Sequence, residues 1–130
     1  MSTGQPANLR VLDIDEQTAT MAPGLPNRIL GQANESVLKL SVFQGDGNWH
    51  AHPKTDEIFV VLEGEMFLDI WHGETVALGP RQVTTIPAGV VHRPRSKARS
   101  TILCFKPAVS ETQFYEVDSG VSKETVGSAR

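Results

Sequence analysis

Between residues 37 and 107, no apolar or β-branched run lasts long before a turn residue stops it. That punctuation limits what the chain can fold into. Val37 to Phe43 alternates, with Leu38, Leu40 and Val42 on one face and Lys39 and Ser41 on the other. Glu57 to Leu62 is apolar after its first residue and is closed by Gly64. Glu65 to Trp71 ends at His72-Gly73, Thr75 to Leu78 at Gly79-Pro80, Gln82 to Ile86 at Pro87-Ala88-Gly89, and Thr101 to Phe105 at Pro107. Many short strands with frequent turn signals predict an all-β sandwich or barrel. Only Asp15 to Ala22 and Ser110 to Tyr115, the latter with Ser110 as N-cap, offer short helical turns, and neither would carry the core.

The length of 130 residues fits one hydrophobic core. Residues 1–8 and 119–130 are rich in small and polar side chains and read as flexible tails, leaving 9–118 as a single domain. There is no internal repeat or low-complexity linker to mark a second domain. Twelve basic residues against fifteen acidic ones give a net charge of −3, which predicts no bulk attraction to nucleic acid or to an anionic membrane. Met1 to Asn8 lacks the apolar core of a secretory signal, and no apolar run approaches a membrane span. A cytoplasmic location is therefore expected. The single cysteine, Cys104, lies among Ile102, Leu103 and Phe105 and reads as a small buried hydrophobe, with no disulfide framework possible within the chain.

Three of the four histidines fall in two compact segments. The first runs Trp49-His50-Ala51-His52-Pro53-Lys54-Thr55-Asp56-Glu57 and continues to Gly64; the second is Pro87-Ala88-Gly89-Val90-Val91-His92. Residues two apart on a strand share a face, so His50 and His52 would project together. A turn through Pro53-Lys54-Thr55 would let Glu57 open the next strand toward the same interior. His92, after the tight Pro-Ala-Gly turn, would approach from another strand. Three imidazoles and a carboxylate meeting inside a barrel are a credible site for a divalent transition metal, and ligands on hydrogen-bonded strands would be largely preformed.

These two segments resemble the signature motifs of the cupin superfamily. His50, His52, Glu57 and Gly64 match a first motif of His-x-His, four residues, Glu, six residues, Gly. Pro87, Gly89 and His92 match a second of Pro-x-Gly-x-x-His. Asp56 to Glu65, with His92-Arg93-Pro94, looks like the small bacterial subgroup labelled mannose-6-phosphate isomerase-like. The resemblance covers roughly residues 37–107. Its departures are Gln44, with Gly45 beside it, where a Gly usually begins the first motif, Arg81-Gln82 where Gly-Asp opens the second, and Ser96 where Asn often ends it. The resemblance implies a single-domain double-stranded β-helix, or jelly-roll barrel, with His50, His52, Glu57 and His92 holding one metal near an open end. Histidine rather than thiolate ligation suits Mn, Fe, Ni, Cu or Zn. A four-residue ligand set leaves about two positions for water, dioxygen or a chelating substrate if the metal is six-coordinate.

The remaining polar residues carry less. His72 sits in a hairpin turn and is expected to face solvent, as are Glu63 and Glu65 beside Gly64. Arg93, Arg95, Lys97 and Arg99 alternate, so an inward His92 sends them outward; Arg95 at the barrel mouth is a candidate partner for an anionic ligand. Trp49 is read as a packing or subunit-contact residue, with ligand stacking as the alternative. Phe59, Met66, Leu68, Ile70, Val83, Ile86, Leu103 and Phe105 are core candidates by strand pattern.

Two functional classes follow. One is a metal-dependent enzyme with oxygenase- or isomerase-type chemistry on a small molecule bearing a carboxylate or hydroxyl. The other is a non-catalytic barrel that binds or senses a small ligand, anionic ligands included. Val11 to Ile14 could add to a partner's sheet, and a homodimer is expected.

Overall fold

The computed structural model describes residues 9–24, 26–118 and 121–129, with side chains described to residue 116. The described residues form ten strands and one short helix: α1 (Ile14–Ala19), β1 (Arg28–Ala33), β2 (Ser36–Asp46), β3 (Trp49–Ala51), β4 (Glu57–Glu63), β5 (Met66–Ile70), β6 (Val76–Leu78), β7 (Val83–Ile86), β8 (His92–Pro107), β9 (Thr112–Asp118) and β10 (Val121–Ala129). All pairings are antiparallel, in the order β1-β2-β8-β3-β9-β10, with β4 joined to β7 and β8, and β5 to β6 and β8. The all-β architecture expected from turn spacing is therefore present. Among the described residues no helix is long and apolar enough to cross a membrane.

The organising element is β8. It is long enough to pair with β2, β3, β4 and β5 at different points along its length. Side chains on a strand alternate between faces, and the even positions His92, Pro94, Ile102, Cys104 and Lys106 turn toward the barrel interior. Odd position Leu103 packs on the outer side, against a cluster of Met21, Leu40 and Val42 that also takes in Ile14 and Leu30. Asp13 caps α1 by accepting the Glu16 N–H at 3.0 Å, which fixes the helix over this outer cluster. A second cluster, Val61, Met66, Leu68, Leu78, Ile86 and Ile102, fills the other end of the barrel.

The two layers explain β2. Its apolar residues Leu40 and Val42 lie under α1, while Lys39, Ser41 and Phe43 line the interior cavity. The alternation seen in the sequence is real, but its polar face is the inside. The strand bends at a bulge between Phe43 and Gly45, and Gly45 takes φ +102°, a conformation glycine adopts without strain.

Several expectations are corrected. Ser110 to Tyr115 is not helical: Ser110 is buried ahead of β9, and the strand that follows is stitched to β3 through Trp49↔Tyr115, His50↔Phe114 and Ala51↔Gln113. A ladder to a waiting strand edge outweighs a weak local capping signal. Residues 121–129 pair with β9 as β10; backbone hydrogen bonds ask little of side-chain hydrophobicity, and the rest of the 119–130 segment lies outside the described residues. Residues 1–8 lie outside the described residues. Val83 and Phe105 are exposed rather than core, because both fall on outward-facing positions of their strands.

Candidate metal centre

The two histidine segments are tied together by backbone. The Gly89 N–H donates to the His52 carbonyl at 2.8 Å, and the Ala88 N–H donates to Asp56 Oδ1 at 2.8 Å. Gly89 stands at φ +84°, which tightens the turn before His92. His50 and His92 are direct cross-strand partners on β3 and β8, with ring centroids 4.3 Å apart. His52 follows the end of β3, and Glu57 opens β4. The four side chains predicted from sequence do meet: one ligand atom from each of His50, His52, Glu57 and His92 lies within 4.8 Å of the others. His72 is elsewhere, exposed at φ +59° in its turn.

The orientation of each imidazole is set by its second nitrogen. Nδ1 of His50 donates to the Asn48 carbonyl at 2.7 Å, Nδ1 of His52 to the Glu111 carbonyl at 3.0 Å, and Nδ1 of His92 to the Val90 carbonyl at 2.9 Å. A carbonyl only accepts, so each Nδ1 carries the proton and each neutral ring presents a bare Nε2 lone pair. This is how metal-ligating histidines are usually held.

Glu57 is divided between two tasks. Its Oε2 accepts from the Cys104 thiol at 3.4 Å. Its Oε1 faces Nε2 of His52 at 3.2 Å and of His92 at 3.4 Å. Glu57 Oε1 and His92 Nε2 are buried without a hydrogen-bond partner. Orphaned buried polar atoms are costly, and two pointing at one spot fit a cation between them.

The electrostatics agree. Burial, reinforced by the neighbouring His92, lowers the pKa of His50 to about 4, so its ring stays neutral. Burial pushes Glu57 up, but the neighbouring His52 and His92 outweigh it and hold the carboxyl below its usual range. The Glu57 hydrogen bond raises His52. Burial, then the Glu57 charge, pushes the Cys104 thiol up to about 12, so it stays a neutral donor.

His50, His52 and Glu57 form part of the wall of a cavity of about 350 Å3. Its other walls are largely apolar, from Phe43, Phe59, Met66, Ile102 and Phe114, with Lys39 and Lys106 as added cations. Sequence reasoning passed over both lysines and the role of Cys104 as a support for Glu57. The signal was available: counting by twos along β8 from His92 reaches Cys104 and Lys106.

Arg95 is not at the mouth. Its Nε and Nη2 bind Asp69 at 2.8 and 3.0 Å, and Arg93 binds the same carboxylate at 3.1 and 2.8 Å. Both guanidiniums lie outside the barrel, as strand parity requires. Trp49 packs edge-on to Trp71 at 5.9 Å, with the Arg93 guanidinium 5.1 Å from its ring centroid, and does not line the cavity. Glu63 is exposed; Glu65 is half-buried and accepts from the Lys97 N–H at 3.0 Å, on the surface rather than in the cavity.

With this geometry in view, comparison with known proteins gives a consistent answer. The Cupin domain family matches residues 40–105. The chain belongs to the cupin family. It is 40% identical over 90 residues to the uncharacterized protein YdbB of Bacillus subtilis, covering 69% of this chain and 80% of that one. A cupin-2 domain containing protein from Shewanella frigidimarina is 27% identical and superposes with a TM-score of 0.71, over 75% of this chain and 94% of that one. The hydroquinone 1,2-dioxygenase of a Sphingomonas strain shares the fold at 13% identity, with a TM-score of 0.64 over 79% of this chain and 83% of the other.

Proposed function

We propose that this cupin holds one divalent transition metal through Nε2 of His50, His52 and His92 and Oε1 of Glu57, and that it acts on a small molecule that reaches the metal through the cavity. The observation that carries this reading is the set of three Nδ1–carbonyl hydrogen bonds, which leave three bare nitrogens around an unpartnered carboxylate oxygen. A bound metal would supply Lewis acidity and, for iron or manganese, redox chemistry.

The chain's own residues favour a reaction in which the metal does most of the work. Glu57 is the one carboxylate lining the cavity among the described residues, and it is committed as a ligand. Isomerisation of a sugar phosphate, the chemistry suggested by the subgroup resemblance, needs a general base over the substrate carbons. The apolar walls suit a compact, partly hydrophobic substrate and exclude bulk water. We therefore favour oxygenase-type over isomerase-type chemistry, and either over a purely ligand-storing barrel.

Elemental analysis of unstripped protein tests the metal site. About one transition metal per chain is expected, with loss of it in His50→Ala and His92→Ala. A full-length folded protein that takes up no Mn, Fe, Ni, Cu or Zn would overturn the reading. Oxygen consumption by the iron- or manganese-loaded protein with hydroquinone or catechol tests the reaction class; consumption no greater than that of His92→Ala would remove oxygenase chemistry on such substrates.

A further inference from the structure

We propose that Lys39 and Lys106 form an anion subsite in the cavity, so that the ligand carries a second negative group besides the end that meets the metal. This deepens the metal-centre reading and rests on it for the ligand's other end.

The placement comes from strand register. Lys39 on β2 is the cross-strand partner of Cys104 on β8, and Lys106 is two residues beyond Cys104. Cross-strand partners and i, i+2 neighbours share a face. Both lysines therefore stand on the inner face next to the cysteine that supports Glu57, and both are half-buried in the cavity wall.

Neither ammonium has a carboxylate partner among the described residues, whereas Arg93, Arg95 and Lys54 do. Arg93 and Arg95 share Asp69, and Lys54 meets Glu111 at 3.7 Å. The one cavity carboxylate, Glu57, has Oε2 on Cys104 and Oε1 toward the imidazoles. With a divalent cation bound, one carboxylate would face the metal and two ammonium groups. Such a surplus of positive charge in a partly dry cavity is unfavourable until an anion enters. Lysine at these positions is therefore expected to serve binding: a chelating hydroxy- or oxo-acid end for the metal, and a distal carboxylate or comparable anion for the lysine pair.

The test is calorimetric titration of the full chain with 2-hydroxyglutarate and with 2-hydroxypentanoate, which lacks the distal carboxylate. The metal-loaded protein should bind the diacid about tenfold or more tighter, as expected for a charge-assisted contact in a sheltered site. In Lys39→Gln/Lys106→Gln that preference should vanish while metal content and 2-hydroxypentanoate affinity hold. Lys39→Arg/Lys106→Arg, which keeps both charges, should retain it and serves if the glutamine variant fails to fold. Equal affinity of the two acids for the native protein, binding of neither, or a preference that survives the glutamine substitutions would overturn the subsite. The same titration on metal-stripped protein separates the two readings. A diacid preference there, in a protein that never takes up metal, supports the lysine pair while sinking the metal centre; no preference in such a protein overturns the pair as well.

Discussion

The Cys104 thiol lies 3.4 Å from Glu57 Oε2, and the other oxygen of that carboxylate is the one turned toward the imidazoles. The sulfur thus fixes which oxygen is left for a metal. It does so as a neutral group, because burial beside Glu57 opposes its ionisation.

Cys104→Ala should weaken metal binding by about tenfold to a hundredfold without removing a ligand, the usual effect of deleting a partner that orients one. Cys104→Ser, which keeps an O–H donor, should recover most of the loss. Competition with a chromophoric chelator measures both. Equal affinities for Ala and native protein would show that Glu57 needs no such support. A thiol reagent should leave native Cys104 unmodified until the protein is denatured.

Chelation should lower the melting temperature of the native protein, because a metal that binds only the folded state stabilises it by mass action. In His92→Ala the melting temperature should not respond to chelator. His92 is fully buried, so that variant will also start from a lower value through the void it leaves. The decisive reading is the chelator-dependent difference, followed by differential scanning calorimetry.

Asp69 receives four hydrogen bonds from Arg93 and Arg95 and one from Thr75 at 2.7 Å. The Arg95 hydrogen bond is the main cause that holds its carboxyl below the usual 3.8. A lowered carboxylate pKa contributes stability in full above the unfolded value and loses it as pH falls through the folded value. Asp69→Asn should therefore cost about 2 kcal/mol near neutral pH, with the gap to native protein narrowing below about pH 4. Urea denaturation at the two pH values checks the sign; a gap that widens in acid would refute it.

Gly64 sits at φ +83°, and a β-carbon there would run into the Ser100 side chain and stand 2.9 Å from its Cα. Neither clash has a flexible end to move, since the Ser100 hydroxyl is already bound to Ser96 Oγ at 2.9 Å and donates to the Ala98 carbonyl. Gly64→Ala should destabilise by at least about 2 kcal/mol. Metal content per folded chain should be unchanged, which distinguishes a packing role from a role in the site.

Arg81 adopts φ +66° where the family motif usually places glycine. A non-glycine residue held there costs about 1 kcal/mol. Arg81→Gly should raise stability by up to that amount, reduced by the greater freedom of glycine in the unfolded chain. A drop in stability would mean that the arginine side chain contributes more than its backbone loses.

Most of the candidate metal cluster was legible because ligand chemistry is local. Two histidines share a strand parity, a turn follows, and Gly89 announces the tight approach of His92. The cavity wall was harder to read for a physical reason. In an alternating strand such as Val37 to Phe43, lysine and serine normally mark the solvent side, and only α1 lying over Leu40 and Val42 reverses the assignment. That cover is a tertiary contact with no local signature. The basic run Arg93 to Arg99 likewise hid the first half of β8, because the charges of Arg93 and Arg95 are satisfied by Asp69 on another strand and that of Arg99 by the carbonyls of Thr18 and Met21.

The length of β8 has a bearing on how this protein can change. One uninterrupted strand carries a candidate metal ligand at one end, the thiol behind another candidate further along, and a cavity lysine near its close. Inserting or deleting a single residue between His92 and Lys106 would swap inside for outside for everything downstream. Replacement of side chains, rather than insertion or deletion, is therefore the change this segment can absorb without turning the cavity wall outward.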